Sequence, residues 1–136
     1  MAVYVDTNLY GLINAVDLND HIDTLGLELD GNVVTRTNMS SGGWDEFIGG
    51  LKNGKLTINF HQDFAAAKVN ATIFPIFNTV VAFEVRSTSA ARSTTNPAFT
   101  GSVLISQYAP ISGKVGDLGQ VSVSWPTTGA VIQQTS

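Results

Sequence analysis

Acidic side chains at a regular spacing are the first candidates for chemistry. Asp17, Asp20 and Asp23 recur at every third residue, a spacing that could turn carboxylates toward a calcium ion. The pattern lacks the central glycine and terminal glutamate of a calcium-binding loop, so solvated turn carboxylates are the simpler account. The two histidines, His21 and His61, stand far apart and show no metal-ligand spacing. No Gly-x-Ser-x-Gly elbow presents a nucleophile, and the absence of cysteine removes both a thiol nucleophile and thiolate metal ligands. Residues 113–119 are Gly-rich but match neither the phosphate-loop nor the dinucleotide pattern, and they precede a strand pattern rather than a helix. Trp44 and Trp125 are each able to stack on a sugar or a base; core burial for one and an interface role for the other is the competing account. No catalytic residue, cofactor or metal is expected.

The elements that would position these residues read mainly as strands. Leu56, Ile58 and Phe60 alternate with Thr57, Asn59 and His61, which gives a strand one buried face. Asn53-Gly54 just before it is a dipeptide suited to a type I′ turn, so residues 46–63 are expected to form a tight hairpin around which the chain is organised. Asp30-Gly31 predicts a second hairpin turn between the alternating run at Leu25, Leu27 and Leu29 and the β-branched run at Val33 and Val34. An apolar strand is expected over residues 9–16, ending in the turn formers of residues 17–20. Residues 38–43 have almost no apolar content and predict an exposed, mobile loop. Asp63 followed by three alanines predicts one helix over about residues 64–75, with Phe64, Ala67, Ala71 and Phe74 on one face and Pro75 at its end. Strands follow at residues 80–85, at residues 99–108 with Gly101 as a bulge, and at residues 120–125, where Pro126 is expected to stop the run. The tail from Ala130 has little to hold it. The fold class is therefore mainly β (α+β), a β-sandwich or partly open barrel of short antiparallel strands with one short helix.

A chain of 136 residues with no internal repeat and no composition break reads as one domain, 1–136, long enough to bury roughly two-thirds of its unfolded surface. The N-terminus shows no basic and apolar leader pattern, and no run approaches the ~20 apolar residues of a membrane span, so neither secretion nor membrane insertion is expected. Asn38-Met-Ser and Asn70-Ala-Thr match the glycosylation acceptor pattern by chance on this account. Only 13% of the residues are charged against a usual ~25%, while 43% are hydrophobic. Such a surface is expected to be covered in part by other subunits. The net charge of −4 argues against a basic groove for nucleic acid. The acids Asp6, Asp17, Asp20, Asp23, Glu28 and Asp30 all precede the first base, Arg36, so the first thirty residues form an acidic segment.

The run Trp44-Asp-Glu-Phe-Ile-Gly-Gly-Leu-Lys-Asn-Gly-Lys-Leu-Thr-Ile after a polar loop, followed by Phe99-Thr-Gly-Ser-Val-Leu-Ile-Ser-Gln-Tyr and the close Val121-Ser-Val-Ser-Trp-Pro-Thr-Thr-Gly129, resembles the major tail tube proteins of long-tailed bacteriophages. The order of these motifs covers nearly the whole chain. The resemblance implies a non-enzymatic virion protein of the tail, assembled in the host cytoplasm. Six copies would form a ring, and rings would stack into a tube through which DNA leaves the capsid without specific binding. Tape measure and terminator proteins of the tail are the implied partners. The loop that bridges successive rings would correspond to about residues 33–44, with Arg36, Asn38, Met39 and Trp44. An acidic lumen would repel DNA, which makes Asp17, Asp20 and Asp23 its candidates.

Two other classes compete. A β-sandwich module binding carbohydrate or a cell surface would use Trp44 or Tyr108 as a stacking platform and would stay monomeric. An enzyme would need a cluster of acid, base and nucleophile that the spacing does not show.

Overall fold

Period-two alternation is honoured most strictly where two strands share the centre of the molecule. Leu56, Ile58 and Phe60 are wholly buried, as are Val121 and Trp125 on the strand beside them. The computed structural model describes residues 9–135, so Asp6 of the acidic segment and Ser136 of the tail lie outside the described residues. Among the described residues seven strands form: β1 (Tyr10–Ile13), β2 (Val16–Asp17), β3 (Ile22–Thr35), β4 (Phe47–His61), β5 (Val80–Arg86), β6 (Ala98–Leu104) and β7 (Gln120–Gln134). Their order is β2-β1-β5-β6-β7-β4-β3, every neighbouring pair is antiparallel, and the sheet is not closed into a barrel.

The last strand folds this sheet into two layers. β7 pairs with β4 through residues 120–126 and with β6 through residues 127–134, so one strand belongs to both halves. Pro126 sits at the handover, opposite Lys55 in the last pair with β4. Proline lacks the N–H that a continued ladder would need, and the strand changes partner there instead of stopping. The tail is therefore held: Gln134 pairs with Ala98. Between the halves lies one core to which Ile13, Phe83, Val85 and Val103 contribute from one side and Leu56, Ile58, Phe60, Val121, Val123 and Trp125 from the other. An irregularity does fall at Gly101: the β6–β7 register shifts between Thr100 and Ser102, and a Cβ on Gly101 would lie 3.1 Å from Phe83 Cε1 and 3.2 Å from the Ala130 carbonyl oxygen.

Both expected tight turns are absent. Asp30 pairs with Asn53 and Leu29 with Gly54, so the two turn-forming dipeptides lie opposite each other inside one long hairpin of β3 and β4. Gly54 is not in the left-handed region. What requires glycine there is close approach, since a Cβ would lie 2.9 Å from Thr127 Oγ1 and 3.0 Å from Leu29 Cδ2. The true hairpin loop is residues 36–46, and Val33 and Val34 belong to β3 rather than to the loop.

The helix is shorter and later than its alanines suggest. α1 spans Val69–Ile73 and continues as a 3-10 turn over Phe74–Ile76, so Pro75 lies inside that turn. Asp63 does accept a hydrogen bond from the Ala65 amide at 2.9 Å, but Ala67 adopts φ 62° and breaks the run. The side chains that anchor this segment are Val69, Thr72 and Ile73, all buried, whereas Phe64 and Phe74 face solvent. Among the described residues no helix is long and apolar enough to cross a membrane.

Candidate assembly surfaces

The hairpin of β3 and β4 begins in the core and ends outside it. From Glu28 outward on β3, and from Phe47 to Asn53 on β4, every residue is exposed. Leu56 has no exposure, while Leu51, five residues away on the same strand, is 79% exposed. The register shift between Gly31 and Val33 places an extra residue on β4, at Gly50 and Leu51. With that bulge, the register puts Leu29, Val33 and Phe47 on the face that continues the core, and Val34, Ile48 and Leu51 on the opposite face. A Cβ on Gly50 would lie 3.0 Å from Val34 Cγ2, which fixes Gly50 and Val34 on one side. The arm is thus apolar on both faces. Each such side chain is stabilised by about 1.5–3 kcal/mol when fully buried, so this surface favours covering.

At its tip the chain forms a small built turn rather than a featureless loop. Asn38 accepts from the Ser40 amide at 2.8 Å, and its own N–H donates to Ser41 Oγ at 3.0 Å, capping the 3-10 turn Met39–Ser41. Gly42 and Gly43 follow in the left-handed region, at φ 65° and 86°. Arg36 and Glu46 face each other at 3.5 Å across the neck, and the Arg36 amide donates to the Glu46 carbonyl. Met39 and Trp44 project from this turn, Trp44 at 78% exposure. Arg36, Asn38, Met39 and Trp44 are therefore brought together at one end of the molecule.

The three aspartates are not. Asp17 Oδ1 accepts from the Asn19 amide at 2.8 Å, a local turn. Asp20 belongs to a clamp on His21, whose Nδ1 lies 2.8 Å from Asp20 Oδ1 and whose Nε2 lies 2.8 Å from Asp63 Oδ2; Lys68 Nζ stands 3.5 Å from Asp20. Hydrogen bonds to Asp20 and then Asp63 raise the His21 pKa, and the bond to His21 lowers that of Asp20. Asp63 is lowered first by the Ala65 amide and then by His21. Asp23 instead accepts from Asn59 Nδ2 at 3.2 Å, and Asn59 Oδ1 accepts from Ser122 Oγ at 3.0 Å, a polar chain running from β3 across β4 to β7. Among the described residues no group of three or more His, Cys, Asp or Glu is placed to hold a metal ion.

The aromatic candidates separate as well. Trp125 is core, with Nε1 donating to the Gln107 carbonyl at 2.8 Å. The Tyr108 hydroxyl donates to Asn70 Oδ1 at 2.8 Å and accepts from Gln62 at 3.1 Å, which ties its ring to the body instead of offering it as a platform. A cluster that the sequence did not single out is Glu84 between Arg86 and Arg92. Arg86 Nε lies 3.1 Å from Glu84, Arg92 bonds both Glu84 and Gln134, and Arg86 stands 4.2 Å from the Tyr10 ring centre. The alternation Glu84, Arg86 on the polar face of β5 was its one available signal. Further exposed apolar side chains gather beside the helix, at Phe64, Phe74, Phe77 and Val80, and in the loop before β7, at Ile111, Val115 and Leu118.

No protein-family model and no curated protein matches the sequence. Among solved structures, a chain in the virion of a native gene transfer agent particle superposes with a TM-score of 0.77 at 15% identity, over 97% of this chain and 99% of that one. The fold is that of a gene transfer agent virion chain. A second match, at TM-score 0.65 and 18% identity over 82% of this chain and 81% of that one, is to a chain in the tail of an empty gene transfer agent particle solved by helical refinement with C6 symmetry.

Proposed function

We propose that this chain is a structural subunit of a phage-type tail tube, forming six-membered rings that stack into a hollow conduit for DNA within the virion tail. The observation that carries this reading is the match in fold over nearly the whole of both chains to a virion component. The C6 symmetry of the related tail supports rings of six. Two features of the molecule fit repetition of one subunit. β3 has no partner on its outer edge among the described residues, and an open edge of that length is a template for another chain. The arm has apolar side chains on both faces, so it suits a place between two neighbours, with Arg36, Asn38, Met39 and Trp44 reaching the adjacent ring. Tape measure and terminator proteins would meet the ends of such a tube.

Electron microscopy and sedimentation of the purified protein, fresh and after concentration, test this. Rings or tubes of uniform diameter are expected. A protein that stays monomeric at high concentration and binds glycans through Trp44 would overturn it in favour of a binding module.

A further inference from the structure

We propose that His21 is a proton-operated latch on residues 63–68: charged, it ties both ends of that turn to the 3-10 turn Asn19–His21, and neutral, it lets one end go. The turn has little else to hold it. Residues 64–67 are all exposed, and the next buried side chain after Phe60 is Val69. Ala67 stands in the left-handed region at φ 62°, which a residue with a Cβ disfavours. α1 behind it has five residues and no side-chain cap, too short to stand alone. Its first turn hangs on Asp63, whose carbonyl accepts from the Asn70 amide at 3.1 Å and whose Oδ1 accepts from the Ala65 amide at 2.9 Å. Among the described residues, the links from this turn to the 3-10 turn are Asp63 to His21 Nε2 and Lys68 to Asp20, one at each end. Phe64, exposed beside the helix, rides on the turn, so the latch sets where that ring stands.

The proton count decides the latch. Both ring nitrogens of His21 lie 2.8 Å from a carboxylate oxygen, Nδ1 from Asp20 and Nε2 from Asp63. Only an imidazolium has a hydrogen to donate from each nitrogen; the neutral ring has one N–H and one lone pair. Charged, His21 completes the alternating row Asp63, His21, Asp20, Lys68. Neutral, it leaves one carboxylate facing a lone pair, with 16% of the side chain exposed to water that could bridge the misfit. If Nδ1 keeps the proton, Asp63 must turn away and frees the start of the turn. If Nε2 keeps it, Asp20 turns away and takes with it the bond to Lys68 at the end. The neighbouring ionisable groups are engaged elsewhere: Asp17 accepts from the Asn19 amide, Asp23 from Asn59, and His61 closes β4 opposite Gln120. Hydrogen bonds to Asp20 and then Asp63 raise the His21 pKa, so the latch is closed at pH ~6.5 and opens as pH rises through the folded value.

Hydrogen exchange of the dilute full-length chain, read by mass spectrometry and corrected for the pH dependence of intrinsic exchange, tests this. Peptides covering residues 62–70 are expected to lose protection as pH rises from ~6.5 through the folded pKa of His21, at labelling times for which residues 54–60 of β4 stay protected. Two substitutions should abolish the pH dependence in opposite directions. His21→Gln leaves no proton to gain or lose, and residues 62–70 should show the weaker protection at every pH. Asp63→Asn gives an amide that accepts from the charged ring and donates to the bare Nε2 of the neutral one, so the stronger protection should persist at high pH. Protection of residues 62–70 that does not change with pH in the parent chain overturns the latch, whatever the variants do. So does a loss that β4 shares at the same labelling times, or one that His21→Gln retains in full.

Discussion

The two ends of the β3–β4 hairpin are built from the same two strands and follow opposite rules. Near its root, Leu25, Leu27, Leu56 and Ile58 share one face and the other face is polar, the pattern of a sheet with one neighbour, its own core. Along the arm, Leu29, Val33 and Phe47 lie on one face and Val34, Ile48 and Leu51 on the other, the pattern of an element with a neighbour on each side. Strand propensity is alike in both halves. What differs is how many faces are apolar, and that number tells how many partners each half is built to meet.

The comparison breaks most visibly at the root. Phe60→Ala should destabilise the fold by about 3–5 kcal/mol, because a fully buried ring leaves a cavity that its neighbours cannot fill. Chemical denaturation measures this; a loss below about 1 kcal/mol would mean that the root is not core in the sense drawn here. Gly54→Ala comes next. Its Cβ would meet Thr127 Oγ1 at 2.9 Å and Leu29 Cδ2 at 3.0 Å, so overpacking should cost about 1–3 kcal/mol. A neutral or stabilising result would show that β7 can shift away from the arm's base.

A smaller, pH-dependent effect is expected at the His21 clamp. The folded pKa of His21 is raised above its unfolded value, so this contribution is fully present below the unfolded pKa of ~6.5 and disappears as pH rises through the folded pKa. Asp20 and Asp63 are lowered, so their contribution is present above the unfolded carboxylate pKa and is lost as pH falls through the folded values. Melting temperature should therefore decline as pH rises from ~6.5 through the folded pKa of His21, and His21→Gln should flatten that limb. An identical slope in parent and variant would remove the clamp from the stability argument. The smallest effect on folding belongs to the arm. Deleting residues 38–43, or replacing Leu51 by Asp, should change unfolding free energy by no more than about 0.5 kcal/mol, since none of these residues belongs to the hydrophobic core. Tube formation should nevertheless be lost in both. Long tubes from either variant would show that the arm does not bridge subunits.

The strands were legible where one neighbour decides their pattern: Leu56, Ile58 and Phe60, or Val121, Val123 and Trp125, alternate because each second residue meets a core. Local signals failed where a distant partner overruled them. Asn53-Gly54 and Asp30-Gly31 are good turn formers, yet they pair across a ladder, and Gly54 is required by Thr127, a residue far along the chain. Three alanines favour a helix, but Ala67 turns into the left-handed region and the helix starts where Val69 and Ile73 can reach the core. Pro126 reads as a stop only if a strand has a single partner throughout. The site residues fared likewise. Arg36, Asn38, Met39 and Trp44 meet because they are neighbours in sequence, whereas Asp17, Asp20 and Asp23 share a spacing and separate, since Asp20 bonds His21, which Asp63 also holds, while Asp23 bonds Asn59 on β4.

The handover of β7 at Pro126 also sets the timetable of folding. β4 and β6 both wait for β7, which follows them in the chain, and the pairing of Leu56 with Trp125 spans about half of these residues. Neither layer can close over the core before β7 is in place, so the body is expected to form slowly, as non-local sheets do. The hairpin of β3 and β4 needs no such wait, because its partners adjoin in sequence. An arm apolar on both faces is thus exposed before the body that carries it exists, and unassembled chains must be kept apart until β7 has docked.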